Sequence, residues 1–173
     1  VRRRKIPRTL WDSCVMKISK VSTNFYRLDD AFSDELLTEI DSKFANVIDW
    51  QLREGASGIR RESCIESHKL NEEITPIVNF IEQVIDKKVY SNGSVLWYDH
   101  LGYQNGMHTD LSPNLAVNLQ VYLNDGSDNM GTSCFDEEWH SVPFKKNCGY
   151  ILIGPTKIKH GMLYAAEDDR LSL

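Results

Sequence analysis

The chain has 173 residues, enough for one domain whose core needs no staples. Its hydrophobic content of 41% and charged content of 26% are ordinary globular values, so a folded chain is the default reading. The net charge is −5, but Arg2, Arg3, Arg4, Lys5 and Arg8 crowd the first eight positions, so the body is more acidic still, which argues against nucleic-acid binding through the fold.

Residues 1–20 are expected to be a poorly ordered tail. The segment is basic, contains Pro7 and has no sustained period. A strand exchanged with another copy and a targeting or nucleic-acid role are the other readings of that charge. Met16 opens Met-Lys-Ile-Ser-Lys, so the natural start is placed there as a hypothesis. Residues 21–173 read as a single domain, helix-rich over 21–88 and a β core over 89–173.

Asn24 to Leu28 has the aromatic content of a short strand. Ser33 is placed to cap a helix, with Asp34 and Glu35 in its first turn and Leu36, Leu37, Ile40 and Phe44 on one face. Val47 to Leu52 and Arg60 to Ser67 read as strands around the loop Gly55 to Gly58. Thr75-Pro76 predicts a second helix start, with Ile77, Phe80, Ile81, Val84 and Ile85 as its apolar stripe and Lys87 and Lys88 at its end.

After Val89 the chain turns to short β-prone runs: Val89–Tyr98, Met107–Asp110, Leu115–Leu123, Thr132–Phe135, Trp139–Pro143, Gly149–Ile153, Ile158–Met162 and Arg170–Leu173. Many short strands at close spacing predict a sandwich or jelly roll, with the earlier helices packed on one sheet. In Leu115–Leu123 the odd positions are all aliphatic, whereas the even ones include Asn118, Gln120 and Tyr122. Period 2 separates the two sets. The aliphatic face packs inward on helices or an opposing wall. The polar face meets either water or a polar cavity.

Cys14, Cys64, Cys134 and Cys148 form no CxxC pair and no zinc spacing, so they read as free thiols. No apolar run is long enough to span a membrane, and no apolar stretch follows the basic residues as in a secretory signal. A cytoplasmic location follows from that reading. No residue pattern speaks to oligomeric state.

His108-Thr109-Asp110 is the first chemical signal. His-x-Asp is short enough to arise by chance, but on a strand both side chains face one way and can reach one ion. His160 lies in a later β-prone segment and supplies a third ligand. Two histidines and one carboxylate occupy one face of an octahedral metal and leave three positions open, the non-haem Fe(II) oxygenase arrangement. Arg170-Leu171-Ser172 follows, and an arginine fork beside such a site suits a carboxylate. His68, His100 and His140 read as surface or structural histidines. His100 with Asp99 is a poor rival, because adjacent strand residues face opposite ways.

His108-x-Asp110, His160 and Arg170-x-Ser172, in this order and spacing, resemble the Fe(II)/2-oxoglutarate-dependent dioxygenase superfamily, and within it the prolyl-4-hydroxylase-like branch. Trp97-Tyr98-Asp99, Gln120-Val121-Tyr122-Leu123, Gly131-Thr132-Ser133 and Gly149-Tyr150 add to the likeness, which spans about residues 24 to 173. The resemblance implies a mainly β, α+β fold: a double-stranded β-helix (jelly roll, cupin-like) with N-terminal helices on one sheet. It implies Fe(II) held by His108, Asp110 and His160, and 2-oxoglutarate held by Arg170 and Ser172, with Tyr122 and Tyr98 as further cosubstrate contacts. O2 is the oxidant and ascorbate an auxiliary reductant. Decarboxylation of 2-oxoglutarate to succinate and CO2 would drive hydroxylation of a C–H bond in a peptidyl substrate, prolyl peptides included, or in a small-molecule one.

Some positions depart from that pattern. Asn105 stands where prolyl hydroxylases often carry tyrosine, three residues before the first ligand. The final strand of relatives continues beyond the position of Leu173, so a C-terminal truncation is expected. Asp110 is the carboxylate that halogenases lack, which disfavours halogenation. The alternatives are a cupin-type metal-binding jelly roll with another metal and reaction, and a non-catalytic binding domain. Arg170-x-Ser172 separates them, since it has no evident purpose without a carboxylate ligand. Substrate choice is expected to lie in residues 53–67, 99–106 and 124–140.

Overall fold

The computed structural model describes residues 16–173 except 48–49, 54–57, 92 and 115. Most of the basic N-terminal segment, with Cys14, therefore lies outside the described residues, as does Leu115. The described residues are mainly β, with two α-helices and three antiparallel sheets.

β1 (Lys17–Lys20) pairs with β2 (Phe25–Asp29). The last residues of the expected tail are thus an edge strand, held by Ile18 packing on the core beneath. α1 (Asp34–Ala45) starts where expected: the Ser33 side chain accepts from Leu36 N, and Asp34 and Glu35 occupy the first turn. Such a cap contributes about 1 kcal/mol. Leu36, Leu37 and Ile40 are buried.

β3 (Gln51–Arg53) and β4 (Arg60–Ile65) pair antiparallel; β3 runs one residue past the expected Val47 to Leu52, and most of the expected loop Gly55 to Gly58 lies outside the described residues. α2 (His68–Ile85) corrects the expected start at Thr75-Pro76. Its N-cap is Ser67, whose hydroxyl accepts from Leu70 N and donates to Glu39. Leu70, Ile77 and Ile81 share the buried stripe, so the apolar period extends upstream of Pro76. Pro76 faces solvent, where water can meet the carbonyl whose helical bond it removes. The helix ends at Ile85 with Asp86 in the left-handed conformation.

The later strands are β5 (Ser94–Asp99), β6 (Val117–Val121), β7 (Thr132–Asp136), β8 (Glu138–Val142), β9 (Gly149–Ile153), β10 (Lys159–Gly161) and β11 (Arg170–Ser172). One sheet has the order β1-β2-β9-β6 and another β11-β5-β4-β3. Backbone bonds tie the two end to end: Val121 exchanges bonds with Leu173, and Leu123 N donates to Leu171 O. They make one continuous wall. The third sheet, β10-β7-β8, is smaller.

The alternation of β6 sorts the layers. Val117, Leu119, Val121 and Leu123 join the helices in one apolar cluster. Asn118 and Gln120 face the other way and line a cleft. The polar face meets a cavity rather than bulk water. A second apolar cluster, with Phe25, Tyr122, Met130, Phe144 and Leu152, packs beside that cleft. Cys64, Cys134 and Cys148 are free thiols, and burial pushes Cys134 up to about 12. No helix among the described residues is long and apolar enough to cross a membrane.

Candidate metal centre and acid pocket

Met107–Asp110 is not a strand. His108 instead forms an isolated bridge to His160, each donating its N–H to the other's carbonyl at 2.9 and 2.8 Å, and Asp110 N donates to Pro155 O at 3.3 Å. β10 thus holds the segment without a full ladder. Gly161, beside His160, permits this approach: its φ is 150°, and a Cβ there would lie 2.7 Å from the carbonyl oxygens of Asn105 and Gly106.

Ligand atoms of His108, Asp110 and His160 all lie within 4.8 Å of one another. The Asp110 carboxylate sits between the rings, 3.5 Å from His108 Nε2 and 3.6 Å from His160 Nε2. Each imidazole is oriented through its other nitrogen. His108 Nδ1 is 2.8 Å from Gly106 O, and His160 Nδ1 is 3.1 Å from Ile158 O. Donation from Nδ1–H leaves both Nε2 lone pairs facing the carboxylate. Burial pulls the His160 pKa down, against the opposing pull of the Ile158 carbonyl and Asp110, and so favours the neutral form a metal requires. His160 Nε2 and Asp110 Oδ2 are buried and make no hydrogen bond. Orphaned groups of that kind, in a converging N,N,O set, fit a divalent transition ion.

The opposite side of the cleft is a row of charge across three strands. Asp99 of β5 registers with Arg60 of β4 on one side and Arg170 of β11 on the other. Arg60 donates from Nε and Nη2 to the two Asp99 oxygens at 2.5 and 2.9 Å. Arg170 donates from Nη1 to Asp99 Oδ2 at 3.0 Å. Arg60, Asp99 and Arg170 are 8%, 0% and 2% exposed. Burial depresses the Arg60 pKa, but the hydrogen bond and charge of Asp99 outweigh it, and the net shift is upward. Arg170 Nε is buried and makes no hydrogen bond. The cleft between this row and the three candidate ligands is small, with a cavity volume of about 70 Å³.

Ser172 lies two residues along β11, so it shares the face of Arg170, and its hydroxyl accepts from Gln120 Nε2 at 2.8 Å. Two tyrosines read as cosubstrate contacts are placed elsewhere. Tyr98 alternates with Trp97 and Asp99 and so faces the helices, where its hydroxyl donates to Asp169 at 2.5 Å. Tyr122 packs its ring 5.2 Å from the Arg170 guanidinium, but its hydroxyl accepts from Thr132 N. Neither lines the cleft. Tyr150, opposite Gln120 in the β6–β9 register, does, and burial holds its phenol neutral by pushing its pKa up.

Arg60, Asp99 and Tyr150 were not singled out as site residues from the sequence. Asp99 carried a signal: a carboxylate two residues from Trp97 in a β-prone run must face the same side. Of the segments expected to govern substrate choice, 53–67 contributes Arg60 to the cleft lining, 99–106 contributes Asn105 and 124–140 contributes Thr132. His68 is the exposed first residue of α2 and lies beside Glu72, and His100 and His140 pair loosely with Asp169 and Glu138, all outside the cleft.

No family model matches the sequence, and no curated protein matches it. Solved structures do match. A prolyl-4-hydroxylase from Pseudomonas putida aligns with a TM-score of 0.63 at 13% identity, over 86% of this chain and 89% of that one. HygX from Streptomyces hygroscopicus, solved with nickel and 2-oxoglutarate, aligns at 0.66 and 12% identity, over 86% and 80%. An oxidoreductase of the 2OG-Fe(II) oxygenase family from Burkholderia pseudomallei aligns at 0.67 and 12%, over 86% and 82%. The fold is that of the 2-oxoglutarate–Fe(II) oxygenases. At these identities the likeness speaks to the oxygenase fold, while the site residues rest on their own geometry.

Proposed function

We propose that this protein is a non-haem Fe(II) oxygenase that couples oxidative decarboxylation of 2-oxoglutarate to hydroxylation of a substrate C–H bond. The observation that carries the reading is a converging His108–Asp110–His160 set, with His160 Nε2 and Asp110 Oδ2 buried and unpartnered, facing a buried arginine with an unpartnered Nε across one cleft. Residues 21–173, with β1 (Lys17–Lys20) added at the sheet edge, form the single catalytic domain, and the wall and the smaller sheet are the two sides of a double-stranded β-helix.

His108, Asp110 and His160 would hold the metal on one face and leave three positions for ligands. Iron bound there supplies the activation of oxygen. The protein's own residues bind, orient and shield. The Gly106 and Ile158 carbonyls fix both imidazole tautomers. Arg170 receives the distal carboxylate of 2-oxoglutarate through Nε–H and its neighbouring amine, and Ser172 with Gln120 completes that end. Met162 and Trp97 close the walls against water. A cupin-type site with another metal would use the same three ligands but leaves the buried arginine without a purpose.

The substrate is peptidyl or a small molecule. The prolyl-4-hydroxylase and HygX, which has also been solved with hygromycin B, are neighbours of those two kinds. Incubating the Fe(II)-loaded protein with 2-oxoglutarate, O2 and ascorbate against panels of prolyl peptides and metabolites, scored by succinate, tests the reading. Substrate-dependent succinate that Asp110→Ala abolishes supports it. Succinate release that survives in Asp110→Ala contradicts the assigned metal site.

A further inference from the structure

We propose that Arg60 is a positioning residue for the acid cosubstrate: by engaging Asp99 with its own fork, it leaves the charge of Arg170 free for a ligand carboxylate. The inference rests on the oxygenase reading above and concerns residues that reading does not need.

Two cations and one anion share a buried rung of the sheet. They do not share it evenly. Arg60 takes both oxygens of Asp99 through two nitrogens, the fork-to-fork geometry of a strong pair. Arg170 makes one bond, to Oδ2 only. Its Nε–H is left buried and unpaired, and its Nη2 has the Thr132 hydroxyl at 3.5 Å. Arg60 is also clamped, its guanidinium 4.4 Å from the centroid of Trp97 and 4.5 Å from that of Tyr103. That clamp fixes the fork on Asp99.

The charge balance gives the arrangement a purpose. With Arg60 present the rung carries a net charge of +1. Without it, Asp99 would pair with Arg170, the rung would be neutral, and an arriving carboxylate would meet Asp99 as well as Arg170. Like-charge repulsion is weakly screened in a buried cleft. Arg60 therefore acts on the ligand through Asp99.

A double substitution separates this role from a merely structural one. Arg60→Met leaves Asp99 with Arg170 as its partner, so no buried carboxylate is stranded. Arg60→Met/Asp99→Asn removes the opposing pair and restores the unbalanced charge of Arg170. The experiment is calorimetric titration of 2-oxoglutarate into Ni(II)-loaded protein, with Ni(II) affinity and the circular-dichroism melting curve measured for each variant. Arg60→Met is expected to weaken 2-oxoglutarate by at least about tenfold with Ni(II) affinity unchanged, and the double variant to recover to within about threefold of wild type. Wild-type affinity in Arg60→Met, or a double variant no tighter than Arg60→Met, overturns the proposal. If Arg60→Met does not fold, the double variant decides by itself: near wild-type affinity supports the charge argument, and a loss beyond about tenfold refutes it. Absence of 2-oxoglutarate binding to wild-type protein is a different result and removes the oxygenase reading itself.

Discussion

Arg170→Met should separate the two halves of the candidate site. The guanidinium is 2% exposed and offers a buried, unpaired Nε–H to the cleft. A hydrogen bond to a charged group is worth roughly 1.5–3 kcal/mol. A carboxylate held by two such bonds would lose about 3–6 kcal/mol, a weakening of roughly 10²–10⁴-fold. The fold should survive. Asp99 keeps both bonds from Arg60, and methionine fills the space beside Met162, which already touches Arg170 Nη1 through sulfur at 3.5 Å. Stability should fall by about 1–3 kcal/mol, the ordinary cost of one buried substitution. Arg170 touches none of the three ligands, so metal affinity should hold. The assay is paired calorimetry, Ni(II) into apo-protein and 2-oxoglutarate into the Ni(II) form. Loss of metal binding, or an unchanged 2-oxoglutarate affinity, would refute the division of roles.

Gly161→Ala should loosen the metal centre more than the fold, because its Cβ would press on the Asn105 and Gly106 carbonyls that hold the approach to His108. Metal titration should show weakening of at least about tenfold, and a melting loss with intact metal affinity would contradict the placement. Tyr98→Phe removes the hydroxyl bond to Asp169. It should cost about 1 kcal/mol of stability in a denaturant melt and leave 2-oxoglutarate affinity unchanged; weaker binding would return Tyr98 to the pocket. Asp136 is partly buried, which raises its pKa, but bonds from Ser22, the Asn24 backbone and the Asn24 side chain lower it further, so the net shift is downward. A depressed carboxylate pKa gives stability that is present above the unfolded value of about 3.9 and lost as pH falls through the folded one. The melting-temperature gap between wild type and Asp136→Ala should therefore be constant at neutral pH and close below about pH 4; a gap that grows with acid would reverse the sign.

The candidate ligands are legible in the sequence because each is a residue type with few other uses in that company. His108, Asp110 and His160 carry the metal signal in identity and order, and Arg170-x-Ser172 carries the acid signal. What spacing could not convey is that Met107–Asp110 is no strand; it is held by a bridge to His160 that depends on Gly161 having no side chain. The alternation of β6 was readable, and Asn118 and Gln120 line the cleft as one of its two readings required. Tyr98 failed on the same rule: two adjacent strand residues cannot both face inward, and Asp99 does. Arg60 was out of reach, since only the register of β4 on β5 sets it opposite Asp99. At Pro76 the sequence favoured a local preference for helix starts. The Ser67 cap and Leu70 on the buried stripe outweighed it.

The central claim is one metal and one 2-oxoglutarate in one cleft, and anaerobic titration of Fe(II) and then 2-oxoglutarate into apo-protein tests it most directly. A weak visible absorption band that appears only when both are present, saturates at one equivalent of each, and is absent in Asp110→Ala is the predicted result. Fe(II) binding with no such band at any 2-oxoglutarate concentration would contradict it.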